Sequence, residues 1–548
     1  MSRQRTKDAP ITSGGRLLDV QCTVLDVQWT LLGRLDRIPK ASHEAEIYSE
    51  RNSATNTRIT ILQSLLCFLF CDCDWSLYSV PLQISVPLLM EPQPMSPFPW
   101  PIFGNRYYLQ KLTRKFGGLH LAFLELSKIY NSNIISLRLG TDNVIVVMNS
   151  KLIYEVCSSE TYDGRPWNEF GKLRNMGMKK GITLNDGAEW KELRSWSVRT
   201  LRSVGFAKQT MMDLITEEMT LIIEKLATGG MQQIRSAFAP AVINILWMLI
   251  TGQKPSENLP RKFDLTGGIL VAFPWLRYIA PEMSGYNFLV KLNDELKSFL
   301  METINEHKEQ YVKGNEVDFI DLFLQEMYNN VEEQGDKVSV FSDDNLLVTL
   351  LDFFIAGIST TTATLNNLFL QMANHQDVQR KVYEEINNVI GSHRFPKLED
   401  KIKMPFTEAT ITECQRLFNV IPIIGPRRVL KDTILGNYKI SKNTTVLLNM
   451  YSNNINPDFF PDPISFRPER HINENGVYQQ HENIILFGKG KRRCPGEALA
   501  KSATFLFFVG IMQKFQLLPE PGKGSIQTEL NIGLLCEPKP YKMLIVPR

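Results

Sequence analysis

The chain is expected to be mainly α-helical with small β-sheets. Apolar residues recur at helical spacing through most of the sequence beyond residue 105, while strand-like runs are few and short. No regular strand–helix–strand alternation appears, which argues against a nucleotide-binding sheet or a barrel enzyme. The composition, 43% hydrophobic and 22% charged over 548 residues, is globular and ample for a large core. Length alone suggests about three or four domains.

Residues 1–58 are polar and mixed in charge, without periodicity. Ile59–Cys71 is a 13-residue run free of charge, ended by Asp72 and Asp74, and Trp75–Met90 is uncharged but carries Pro81 and Pro87. Neither reaches the roughly 20 apolar residues that span a bilayer. We read 1–90 as an N-terminal segment, a degenerate membrane anchor or a mispredicted start. Residues 91–105 hold Pro92, Pro94, Pro97, Pro99 and Pro101 and form a stiff hinge.

Beyond the hinge, helical patterns cover Leu119–Tyr130, Ala188–Leu201, Asp213–Leu226, Asp294–Val312 and Phe319–Tyr328. A long one follows at about Asp343–Gln376, then Gln376–Ile390, Thr407–Phe418 and Gly496 to about Phe515. Strands are expected at Asn133–Leu139, Val144–Asn149, Thr433–Leu435, Tyr438–Ile440 and Thr445–Leu448.

The 61 basic and 58 acidic residues leave a net charge of only +3 with no basic stripe, which excludes tracking of a nucleic-acid backbone. Eight scattered cysteines lack the spacing of a disulfide framework and point to a reducing compartment. The seven histidines form no His-Glu-x-x-His motif or cluster, so metal ligation by histidine is unsupported.

One segment stands apart: Phe487-Gly-Lys-Gly-Lys-Arg-Arg-Cys-Pro-Gly496. Gly488 and Gly490 permit positive φ, so the chain can fold tightly around the sulfur. Pro495 suits the first helical position and Glu497 the first turn, placing Cys494 at or beside a helix N-cap. Free amide N–H groups there favour thiolate over thiol, and Arg492 and Arg493 push the same way. A thiolate in an open basic loop suits either a soft metal or nucleophilic attack. A phosphate loop is excluded, because Arg492 follows Gly490-Lys491 where Ser or Thr is needed.

Four further constellations fall in order along the chain: Trp190-Lys-Glu-Leu-Arg194, Ala356-Gly-Ile-Ser-Thr360-Thr361, Glu413-Cys-Gln-Arg416 and Phe466-Arg-Pro-Glu-Arg470. With the cysteine loop they resemble the cytochrome P-450 family of heme-thiolate monooxygenases, from about Glu91 to Arg548. The flavour is that of animal microsomal enzymes in the clan of drug- and hormone-metabolising members. The resemblance replaces the multi-domain expectation by one large heme-binding domain of the cytochrome P-450 fold, 106–548.

It also assigns roles. Cys494 would be the axial ligand of the iron of heme (iron protoporphyrin IX), in a loop shaped by Phe487 and Gly488. Arg492, Arg194, Trp190 and Arg427 would meet the heme propionates, and Glu413, Arg416 and Arg470 would form a structural network behind the heme. Ala356, Gly357, Ser359 and Thr360 would serve oxygen activation, with Gly357 leaving room for dioxygen. Electrons would come from NADPH through a flavoprotein reductase, with a cytochrome b-type protein as a second donor. Lys489, Lys491 and Arg493 would offer the docking face.

The substrate would be a lipophilic small molecule, hydroxylated or epoxidised with one atom of O2. Its pocket is expected from the 160–185 loop, roughly 230–290, Phe353–Thr361, Val420–Gly425 and Asn531–Leu535. The apolar side chains there are Phe353, Phe354, Ile358, Val420, Ile421, Ile423, Ile424, Ile532, Leu534 and Leu535. The resemblance places the protein at the endoplasmic reticulum membrane. A heme-thiolate isomerase or dehydratase acting on an oxygenated substrate, and a non-enzymatic heme-binding protein, are the alternatives.

The chain departs from the family at Ser359, where most members carry an acid. A serine hydroxyl can pass a proton but supplies no acidic charge. Asp352 lies about two helical turns away, too far to substitute. Ser359→Glu is therefore expected to couple NADPH consumption to product more tightly than wild type. Unchanged coupling in paired turnover assays would remove the idea.

Overall fold

The computed structural model describes residues 94–100, 103–254, 270, 273–334, 339–532 and 535–548. The N-terminal segment 1–90 and the first prolines of the hinge lie outside them. All described residues belong to one compact unit, Leu89–Arg548.

The N-terminal half runs α1 (Arg106–Phe116), α2 (Leu119–Tyr130), β1 (Ile134–Leu139), β2 (Asp142–Val147), α3 (Ser150–Ser158), α4 (Glu169–Arg174), α5 (Gly187–Ser203) and α6 (Gln209–Leu226). It continues with β3 (Gly230–Gln232), α7 (Arg235–Thr251), α8 (Tyr286–Gln310), α9 (Phe319–Gln334) and α10 (Asp343–Asn374). The C-terminal half holds α11 (Gln376–Val389), α12 (Pro405–Leu417), β4 (Ile423–Arg428), β5 (Thr433–Leu435), β6 (Tyr438–Ile440), β7 (Thr445–Asn449), α13 (Glu497–Lys514), β8 (Phe515–Leu518), β9 (Leu530–Ile532), β10 (Cys536–Pro538) and β11 (Met543–Pro547).

Helix α10 is the central rod. Ser342 caps it by accepting from the Asn345 N–H, and Asp343 and Asp344 in its first turn suit the positive end of the dipole. Helices α7, α8, α11 and α13 pack around it. Phe505, Phe507 and Phe508 of α13 are wholly buried, and burial of each such side chain stabilises by about 1.5–3 kcal/mol. Among the described residues, α10 alone is long and apolar enough to cross a membrane, and here it is a core helix.

The main sheet has the order β1-β2-β7-β4. β1 and β2 are antiparallel, β2 and β7 parallel, and β7 and β4 antiparallel, with a register shift between Ile424 and Arg427. That irregularity frees Gly425 and Pro426 from the ladder at the edge of the site.

The sequence patterns missed α7 for a physical reason. It buries residues on every side, including Phe238, Val242, Ile245, Leu246 and Leu249, so it has no polar face to set a period, and Pro240 stands inside it. β3, β4 and β8–β11 were not expected; β3, β9 and β10 are three residues each, too short for a period to register.

A buried charge pair joins three helices at one end of this core. In α8, His307 Nδ1 faces Thr303 O at 2.8 Å, and Nε2 faces Asp318 Oδ2 at 3.0 Å and Thr251 O at 3.2 Å. Both ring nitrogens meet only acceptors, so both must carry protons. Burial alone would lower the imidazole pKa, but the bonds to Asp318, Thr303 and Thr251 carry it up to about 9. Such a group contributes its full stability below the unfolded value near 6.5 and loses it as pH rises towards 9. His307→Gln is expected to be less stable than wild type at pH 6, by up to about 3 kcal/mol. The gap should close by pH 9.5; thermal midpoints of both proteins across that range provide the check.

Candidate functional site

A cavity of about 310 Å³ separates α10 from the cysteine loop. Phe353, Ala356, Gly357, Thr360, Thr361 and Thr364 form one face of α10 and one wall. Leu201 and Phe206 follow from the end of α5, and Val242 and Leu246 from α7. Phe418, Val420 and Ile421 come from the connection between α12 and β4, and Ile424 and Gly425 from β4 itself. The opposite wall is Phe487, Gly488, Arg492, Cys494, Pro495 and Leu499.

The loop is locked by backbone geometry. Gly488 and Gly490 have φ of 72° and 70°, and a Cβ on Gly490 would stand 2.0 Å from Cys157 O. No side chain fits there. Cys494 N–H donates to Phe487 O at 2.9 Å, folding the segment back on itself. Gly496, not Cys494 or Pro495, is the N-cap of α13. Pro495 therefore precedes the helix instead of opening it.

The expectation of a resting thiolate also changes. The exposed surface of Cys494 opens onto the cavity, and burial pushes the thiol pKa up, outweighing the Gly496 N–H and the Arg194 charge that lower it. Burial thus works against the thiolate, and a cation bound at Sγ would favour it.

The loop's cationic neighbours form a cluster. Arg427 and Arg492 line the cavity, and Arg165 and Arg194 lie close enough for the four to repel one another. Burial first, then that repulsion, pushes the Arg492 pKa down to about 8 and that of Arg165 to about 10. Asp163 is the carboxylate among them, holding Arg427 Nη1 at 3.2 Å. Three buried N–H groups have no partner: Arg165 Nε, Arg427 Nε and Arg492 Nη1. Unpaired buried donors on guanidinium groups call for an anion. A group with a metal for Cys494, an apolar body for the walls and two carboxylates for this edge fits, and heme has that chemistry.

Trp190 and Arg194, expected to meet the propionates, do not line the cavity. Trp190 Nε1 donates to Ile182 O at 3.0 Å, and its ring lies 3.3 Å from the Arg492 guanidinium carbon. Arg194 donates to Lys491 O at 2.8 Å and to Arg493 O. As placed, they brace the cysteine loop. Arg165 was missed. Its nearest sequence signal is Gly164-Arg-Pro166, in which the proline holds Arg165 extended.

On α10, Thr360 Oγ1 donates to Ala356 O at 2.9 Å. Ser359 does not line the cavity. A Cβ on Gly357 would stand 2.2 Å from Leu246 Cδ2, so this glycine makes room for a side chain of α7, where room for dioxygen was the reason expected. Asp352 is engaged elsewhere: its carboxylate accepts from Arg174 Nη1 at 2.5 Å and from the Ile182 and Thr183 N–H groups, each at 2.8 Å. It does not line the cavity.

The pocket differs from expectation elsewhere. No residue of the 160–185 loop lines the cavity. Phe354 lines a separate apolar void of about 10 Å³ beside Trp247. Ile423 and Leu535 do not reach the cavity, while Phe353, Val420, Ile421 and Ile424 do. Leu534 and the side chains of Ile358 and Ile532 lie outside the described residues.

Behind the loop, Glu413 gathers its partners. Its carboxylate accepts from Arg416 Nε and Nη2, each at 2.8 Å, Arg470 Nε at 2.9 Å, the Arg467 N–H at 3.0 Å and His471 Nε2 at 2.8 Å. Burial alone would raise its pKa, but these donors hold it at about 2. The structure thus brings Glu413, Arg416 and Arg470 together and adds His471, a buried histidine with no motif to mark it.

A family model described as Cytochrome P450 matches residues 94–545. The "Probable cytochrome P450 305a1" of Drosophila melanogaster is 36% identical over 472 residues, 82% of this chain and 93% of that protein. The "Farnesoate epoxidase" of Bombyx mori is 36% identical over 470 residues, 83% of this chain and 94% of its own. "Cytochrome P450 2U1" of Homo sapiens is 33% identical over 493 residues, covering 83% and 89%.

Glu413→Gln keeps the shape but leaves the buried Arg416 charge without its counter-ion, a loss of about 3–5 kcal/mol. The variant is expected to unfold at lower temperature and to lose heme on gel filtration. A stable, heme-loaded Glu413→Gln protein would contradict the structural role.

Proposed function

The chain belongs to the cytochrome P450 family, a heme-dependent monooxygenase by that membership, and we propose that it epoxidises or hydroxylates an elongated, largely apolar substrate of isoprenoid type. One observation carries the reading: Cys494 and, from α10, Gly357 and Thr360 line the same cavity, whose other lining is mainly aliphatic and aromatic away from the arginine edge. The similarity to a protein named farnesoate epoxidase supports epoxidation of an unsaturated chain.

Residue by residue, Cys494 would ligate the iron, and Arg427 and Arg492, with Arg165 behind them, would take the propionates. Bound there, heme supplies oxygen activation, sending one atom of O2 to substrate and one to water. Thr360 stands on the opposite wall, where its hydroxyl can exchange its bond to Ala356 O for one to a ligand. Phe353, Val242, Leu246 and Val420 would exclude water and orient the chain.

Electrons would pass from NADPH through a flavoprotein reductase, with a cytochrome b-type donor as an alternative. The face it would meet carries Lys491 paired with Glu160, Arg493 paired with Glu497, and Lys489 at 3.7 Å over the Tyr154 ring. These surface pairs are weak and can exchange for a partner's carboxylates. The proposed location is the endoplasmic reticulum membrane.

The test uses the purified full chain. The dithionite-reduced, carbon monoxide-bound protein is expected to show a red-shifted thiolate-type Soret band that Cys494→Ala abolishes. With reductase and NADPH, farnesoate should yield an epoxide. Absence of the band in folded wild type would overturn the heme assignment, and a normal band without farnesoate turnover would overturn only the substrate class.

A further inference from the structure

We propose that Asp163 sets the electrostatic potential of the cofactor pocket, holding two of its arginines in place and cancelling part of their charge. The proposal rests on the heme reading above.

Asp163 is 6% exposed and serves the cluster through two different groups. Its carboxylate accepts from Arg427 Nη1 at 3.2 Å. Its backbone carbonyl accepts from Arg492 Nε at 3.1 Å and Nη2 at 2.5 Å. The carbonyl positions Arg492 whatever side chain residue 163 carries, so position and charge can be separated by substitution at this one site.

Arg427 Nη1 donates to Asp163 and Nη2 makes a long contact of 3.8 Å to Cys157 Sγ, while its Nε is buried without a partner. Asp163 thus offsets Arg427 without consuming its capacity for an anionic ligand. Positive charge is in excess at this edge, and Asp163 is the carboxylate hydrogen-bonded to one of the four guanidinium groups, so losing its charge would raise that excess by one.

Reduction of ferric to ferrous heme adds one electron and no proton at the iron. A nearby negative charge opposes that electron, and a positive charge favours it. Asp163 therefore restrains the reduction that the arginine cluster promotes.

The experiment is an equilibrium redox titration of the full-chain holoprotein with dithionite, followed in the Soret region, for wild type, Asp163→Asn, Asp163→Glu and Arg427→Gln. In Asp163→Asn the ferrous-to-ferric ratio at a fixed poise should rise about tenfold. Asp163→Glu should stay near wild type, and Arg427→Gln should shift the opposite way. An unmoved potential in heme-loaded Asp163→Asn, or Asp163→Asn and Arg427→Gln moving together, would overturn the proposal. If Asp163→Asn takes up no heme, Arg427→Gln decides, and an unmoved or oppositely shifted potential there would overturn it. A role in packing alone would change thermal stability without moving the potential. Wild type lacking the thiolate-type band would instead overturn the heme reading.

Discussion

A carboxylate with almost no contact with solvent, Asp352, ties the two walls of the cavity to each other. It sits on α10 and receives Arg174 together with the backbone N–H groups of Ile182 and Thr183. The segment so fixed presents Ile182 O to the Trp190 indole, and the Trp190 ring lies against Arg492, two residues from Cys494. A displacement at one end of this series is felt at the other through close-packed groups with few alternative partners. A buried charge is expensive unless it is paired and hydrogen-bonded, and here its three donors come from the segment it must hold, Arg174 to Thr183.

The same economy governs the two buried acid centres. Glu413 is saturated by guanidinium, imidazole and amide donors, and a group so saturated has no capacity left for chemistry. The arginine edge is the reverse case, with donors in excess and acceptors missing. Folded proteins rarely leave guanidinium N–H groups buried and unpaired, because each costs its hydration without return. Here the saturated network at Glu413 lies off the cavity, and the edge with donors in excess lies on it.

Much of this was legible from residue order, and the rest was hidden for definable reasons. Leu119–Tyr130, Thr433–Leu435 and Tyr438–Ile440 fall where their patterns put them, because one face of each is buried and one is wet. α7 carries no such contrast, so a helix that contributes Val242 and Leu246 to the cavity was invisible. The positive φ at Gly488 and Gly490 followed from the glycine pair, whereas the placement of Pro495 did not, since a one-residue difference in helix start leaves no trace in composition. His471 and Arg165 act through neighbours far away in sequence. Trp190 was recognised by spacing, but the direction of its N–H depends on where Ile182 O lies, and that is decided by tertiary structure.

The approach of Leu246 to Gly357 has a consequence for the size of the cavity. Backbone and the rigid rim of prolines and glycines define the end near Cys494, but above Gly357 the boundary is the tip of one leucine side chain. A leucine tip moves by rotation about two bonds, at far less cost than shifting a helix. The dimensions at the cysteine wall and at the α10 wall are thus under separate control, one by main-chain geometry and one by a rotamer. Lineages that share the first can diverge in the second by changing a single side chain of α7, keeping the chemistry while altering the length of molecule that fits.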